Sequence, residues 1–201
     1  MNMVKNMARS LSRRVSWYGK LPARGDFVGR GVPARWRNEW DGWLQAGIAL
    51  AATHVDAAML RDRLGSFAPW RYLAHPMPGE FWCGIITASR DRVGRVFPMT
   101  LVERLDAPPS SEESAARLAS LLDAIAEGPE ALEAAIAALP PRPEKASGPT
   151  REWPPEPASL WWPLTAADNA VARPSAWPPE PALLLELLDL QPASHQIASA
   201  E

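Results

Sequence analysis

The chain has 201 residues, a formal net charge of -2 and 47% hydrophobic residues. That size and balance suit one globular domain, and they exclude a strongly basic nucleic-acid binder and a highly acidic disordered tail. The apolar runs fall well short of the ~20 residues that a membrane-spanning helix needs.

Taken in order, residues 1–14 are basic (Lys5, Arg9, Arg13, Arg14) with no apolar stretch behind them, so they read as a tail rather than a secretory signal. Val15–Tyr18 alternates and predicts a first strand. Gly19–Gly31 holds four glycines and a proline and reads as a structured loop. Pro33 opens a helix to about Thr53, with Trp36, Trp40, Trp43, Leu44 and Ile48 on one face. Gly47 lies close to that stripe, which suggests close packing against a neighbour. A shorter helix follows over Asp56–Leu64 and stops at Gly65.

The period then changes. Trp70–Leu73, Phe81–Ala88 and Val96–Arg104 predict three strands with short links, hence an antiparallel meander. Ser89–Arg95 is a charged turn between the last two. Ser111–Glu127 reads as one helix, and Gly128-Pro129 ends it and starts the next, to Leu139. Pro140–Pro157 is a Pro-rich loop. Ser159–Trp162 predicts a strand, Ala166–Pro179 irregular chain and Pro181–Leu190 a last amphipathic helix. The expected organisation is therefore a single domain over 15–190, with a basic tail at 1–14, a Pro-rich loop at 140–157 and a small-residue tail at 191–201. The expected fold class is α+β: a mainly antiparallel sheet flanked by helices, with a longin- or profilin-like sandwich as the nearest analogy.

Two features bear on partners. Residues 1–37 carry nine basic groups and one acid, Asp26, which leaves 12 basic and 22 acidic groups for the rest. Such asymmetry fits either a face for an acidic partner or a solvated tail with solvated loops. There are also 10 Trp against 2 Tyr and 4 Phe. Composition leaves open whether these fill the core or anchor contacts.

Catalytic and metal chemistry find little support. His54, His75 and His195 are scattered, and no ligand spacing for a metal occurs. Cys83 is the single cysteine, which excludes a disulfide framework, and its apolar neighbours predict a buried, inert thiol. No Gly-x-Ser-x-Gly nucleophile turn occurs. The Gly19–Gly31 loop fits neither the dinucleotide nor the Walker pattern. Its glycines with Lys20, Arg24 and Arg30 admit two readings: an anion-binding nest, or a tight connection in which Asp26 satisfies backbone donors. Arg90-Asp91-Arg92-Val93-Gly94-Arg95 suits a turn but has more arginine than a turn requires. Those planar cations pair either with the chain's own acids or with an outside carboxylate or phosphate.

Gly19-Lys20-Leu21-Pro22, Gly25-Asp26-Phe27, Trp40-Asp41-Gly42-Trp43-Leu44, Trp70-Arg71-Tyr72, Ser89-x-Asp91-Arg92-Val93-Gly94-Arg95-x-Phe97-Pro98 and Ser159-Leu160-Trp161-Trp162 occur in that order. Over about Trp17 to Leu188 the chain resembles the TagF/ImpM family, accessory proteins of bacterial type VI secretion systems. The resemblance implies a cytoplasmic, non-enzymatic repressor without cofactor, acting after translation by binding the forkhead-associated (FHA) scaffold protein of the system. The expected partner face is formed by Lys20, Arg24, Asp26, Arg30, Asp91, Arg92 and Arg95, with the two loops together at one end of the sheet. Two other functions compete: a nucleotide- or phosphate-binding protein or enzyme using the Gly19–Gly31 loop, and a peptide-binding adaptor using exposed tryptophans.

Overall fold

The computed structural model describes residues 15–21, 28–105, 111–140, 152–166 and 170–190, with the side chains of 111 and 112 left aside. The strands are β1 (Val15–Gly19), β2 (Val28–Arg30), β3 (Trp70–Met77), β4 (Glu80–Thr87), β5 (Met99–Leu105), β6 (Ala158–Pro163) and β7 (Arg173–Ala176). They form one sheet in the order β2-β1-β5-β4-β3-β6-β7, with every neighbouring pair antiparallel. The fold is thus α+β, and β3-β4-β5 is the meander that short links favour.

Helices cover both faces. On one side lie α1 (Ala34–Ala51), α2 (Ala57–Ser66) and α6 (Pro181–Leu187). Their core contains Trp36, Trp40, Trp43, Leu60, Leu64 and Leu184, packed on Tyr18, Tyr72, Trp82, Val102 and Trp161 of the strands. On the other side lie α3 (Ser111–Ala119), α4 (Leu122–Glu127) and α5 (Pro129–Ala138), whose Leu118, Ile125 and Leu132 pack on Trp17, Leu73, Cys83, Ile85, Leu101 and Trp162. Neighbouring residues of one strand serve opposite cores because strand side chains alternate. With both faces covered, β4 reads as a nearly continuous apolar run in sequence.

The tryptophans are core. All ten are described, and none is exposed. Trp40 is fully buried, with ring centroids 4.7 Å from Trp36, 4.9 Å from Trp43 and 6.1 Å from Trp161. The expected packing at Gly47 is present: a Cβ there would stand 2.8 Å from Cβ of Leu184, so α1 and α6 approach too closely for a side chain.

Several elements depart from the sequence reading. The helix expected over Ser111–Glu127 is two: the Ser120 hydroxyl donates to the Arg117 carbonyl at 2.8 Å, and the Leu121 N–H reaches Leu118 at 3.1 Å. These tighter bonds end α3 and offset α4. Within the segment expected to be irregular, Arg173–Ala176 forms the edge strand β7, where Pro174 sits opposite Leu160. An edge position tolerates proline, and four residues without alternation give no strand signal. The three residues of β2 fall in the expected loop. Finally, β5 starts at Met99, not Val96; Val96 instead bridges Arg90. Residues 141–151 of the expected Pro-rich loop and the tails at 1–14 and 191–201 lie outside what is described.

Candidate functional site

The segment from 88 to 98 joins β4 to β5 and forms a small tongue at one end of the sheet. The Arg90–Val96 bridge closes its base, and Asp91 organises its tip. The Asp91 carboxylate accepts hydrogen bonds from the Val93 N–H at 3.0 Å, the Arg95 N–H at 2.8 Å and Arg95 Nε at 2.6 Å. Backbone bonds from Gly94 N–H to the Asp91 carbonyl (3.0 Å) and from Asp91 N–H to the Arg95 carbonyl (2.9 Å) complete the turn. Gly94 has φ +80°, a conformation that glycine adopts without strain. Burial alone would raise the Asp91 carboxyl. The bonds from Arg95 and Val93 outweigh it and hold the group below the usual carboxylate range. The acid is consumed inside the turn, while Arg92 is exposed and Val93 stands 65% exposed at the tip.

The first loop meets this tongue. The Ser89 hydroxyl donates to the Lys20 carbonyl at 2.5 Å, and Lys20 Nζ lies 5.7 Å from the centre of the Phe97 ring. Lys20, Asp91, Arg92 and Arg95 therefore share one end of the sheet. Arg24 and Asp26 lie outside the described residues. Arg30 sits elsewhere, in β2 opposite Trp17, and pairs with Glu133 of α5. Glu133 also accepts from Trp17 Nε1 at 2.9 Å, so one carboxylate joins β1, β2 and α5.

The described glycines of the first loop have packing reasons. Gly19 has φ +148°, and a Cβ there would stand 2.8 Å from Cα of Met99; Gly31 has φ +78° with Ser16 Oγ 2.5 Å from that point. Both are needed to lay the chain against β1 and β5, while Gly25, on which the nest reading also rests, lies outside the described residues. Beside β2 lies an open cleft of about 820 Å³, lined by Trp17, Tyr18, Arg30, Arg37, Glu130 and Glu133 among others. At its wall the Tyr18 hydroxyl donates to Asp41 at 2.7 Å. Burial pushes the Asp41 carboxyl up, against the Tyr18 hydrogen bond and nearby Arg37. Burial and Asp41 together push the Tyr18 hydroxyl up.

Sequence reasoning singled out the arginines of the tongue but missed Val93, whose exposure follows from Asp91 drawing the turn tight beneath it. It also passed over Glu133 and Asp41, whose partners are 116 and 23 residues away and leave no local signal. Among the described residues no group of three His, Cys, Asp or Glu could hold a metal ion, and no helix is long and apolar enough to cross a membrane.

An α+β domain with a stiffened basic tongue and a fully committed core is the class of protein that these features define. Residues 16–139 match the family model of the TagF N-terminal domain, described as type VI secretion system-associated. The crystal structure of PA0076 from Pseudomonas aeruginosa PAO1 is similar, with a TM-score of 0.62 and 30% sequence identity over 86% of this chain and 93% of that one. No curated protein sequence matches. The chain belongs to the TagF family of type VI secretion system-associated proteins.

Proposed function

We propose that this protein is a non-enzymatic, cytoplasmic repressor of a type VI secretion system that acts after translation by binding the FHA-domain scaffold. The observation that carries the reading is the tongue. Its only acid is spent on holding the turn, and it turns Arg92 and Val93 outward, where they can meet another protein. Family membership supports the secretion system as the setting. The packing of all ten tryptophans leaves no exposed indole for an adaptor of the kind considered from sequence.

Co-purification tests the reading. Tagged full-length chain, expressed in a host with an active type VI system, should retain the FHA scaffold, and its overproduction should lower effector release without lowering scaffold abundance. Retention of no scaffold, with secretion unchanged, would remove the proposal.

A further inference from the structure

Resting on the reading of this chain as a protein-binding regulator, we infer that its docking surface is the tongue tip continued onto the outer face of α2, and that its counterpart is an acidic segment with an apolar side chain. The tongue is docked on the end of α2. A Cβ at Gly65 would stand 2.4 Å from Arg90 Nη2 and 3.0 Å from Val96 Cγ1, so the missing side chain leaves the space that the tongue occupies. Arg90 also points a guanidinium N–H at the Gly65 carbonyl, 3.4 Å away, where a helix C-terminus favours a cation. Arg61 lies one helical turn before Gly65 and is exposed. Arg61, Arg90 and Arg92 thus belong to one continuous surface that joins two elements distant in sequence.

Charge argues for an acidic partner. Arg61 and Arg92 make no hydrogen bond or ion pair among the described residues, while Asp91 is already neutralised by Arg95. The chain as a whole is at -2, so this surface is a local excess of positive charge on a molecule of opposite sign. Such a contrast orients an acidic partner before contact. Val93 argues for a protein. A lone exposed valine is ordinary on a surface, but here it stands at the tip of a turn fixed by three bonds to one carboxylate. A rigid apolar tip enters a small hydrophobic notch with little ordering cost, and arginines around it supply the polar rim. A nucleic-acid surface would need many more cations and would gain nothing from the valine.

Nuclear magnetic resonance on the full chain tests this directly, with a synthetic peptide of alternating glutamate and leucine as the probe. The expected result is shifts at Arg61, Gly65, Arg92 and Val93 that weaken with added salt. Arg61→Glu with Arg92→Glu should raise the dissociation constant roughly tenfold or more while leaving the melting temperature in place. Val93→Ser should weaken binding without changing its salt dependence. Shifts that avoid these residues, unchanged affinity in the double variant, or tighter binding of a single-stranded oligonucleotide at the same residues would each overturn the inference. The peptide titration can be read without the scaffold, and a scaffold pull-down separates this inference from the regulatory reading. A scaffold retained equally well by the double variant would reject this surface and leave the regulatory reading standing.

Discussion

Tyr72 and Gly84 face each other across β3 and β4, and a Cβ at position 84 would stand 2.1 Å from Cζ of the tyrosine ring. The ring lies over bare backbone in the middle of the sheet, and its hydroxyl meets Thr100 Oγ1 at 2.8 Å on the next strand but one. Gly84→Ala should therefore displace Tyr72 and lose that bond in a fully buried place. Overpacking of a tight core costs about 1–3 kcal/mol, and the loss here should reach at least the upper half of that range in urea denaturation. A smaller effect would mean that the ring can slide.

Trp40 should be the most costly tryptophan to truncate. It is fully buried and stacks on partners from α1 and β6 alike. Trp40→Ala should cost roughly 3–5 kcal/mol, a large share of the ~5–15 kcal/mol that holds a domain together. Fluorescence gives a companion check: emission should be blue-shifted and poorly quenched by acrylamide, because none of the ten indoles is exposed.

Glu103 and Arg117 predict an asymmetric pair of variants. Glu103 is 1% exposed on β5, and Arg117 Nε of α3 lies 3.7 Å from its carboxylate. Removing the arginine takes a cation from beside a buried carboxylate, so Arg117→Ala should destabilise by about 1–3 kcal/mol. Replacing both residues with methionine removes charge and partner together, and thermal melts should show a much smaller loss. Equal losses would mean that the pair itself, rather than the unbalanced charge, carries the stability.

Asp91 predicts a dependence on pH. Its folded carboxyl is held below its ordinary value, so its stabilisation is complete above the unfolded pKa of about 3.9 and is lost as pH falls through the lower folded value. Asp91→Asn should melt earlier than wild type near neutrality, and the gap should close in acid. A gap that persists undiminished to about pH 2 would trace the effect to shape instead of charge.

Arg30 and Glu133 separate a structural from a surface role. Glu133→Ala frees both Trp17 Nε1 and Arg30 and should cost about 1–2 kcal/mol in denaturant titrations. Arg30→Ala removes only a half-exposed partner and should cost under ~1 kcal/mol. An equal cost would show the arginine, not the tryptophan, to be what Glu133 holds.

Legibility in the sequence followed the range of each signal. The long Trp face of α1 and the central strands were plain, because helical spacing and continuous apolar runs are properties of the segment itself. The break between α3 and α4 was not, since it depends on one serine hydroxyl turning back to Arg117. Nor were β2 and β7, edge strands of three and four residues that exist through pairing with β1 and β6. At the site, the turn at Arg90–Arg95 could be read from its residues, and the two loops were expected together at one end of the sheet, where Lys20 of the first loop meets the tongue. The placement of Arg30 with Glu133 could not be, because its cause lies on a helix 103 residues further along the chain.

Trp161 and Trp162 stand side by side in β6, one committed to the layer of α1 and the other to the layer of α3–α5. Inserting or deleting one residue ahead of them would exchange their sides and leave each indole facing the wrong set of neighbours. The dipeptide therefore acts as a phase marker for the strand. Because its two halves anchor opposite layers, neither layer can loosen without disturbing the other through a single peptide unit, and the molecule should melt in one cooperative step.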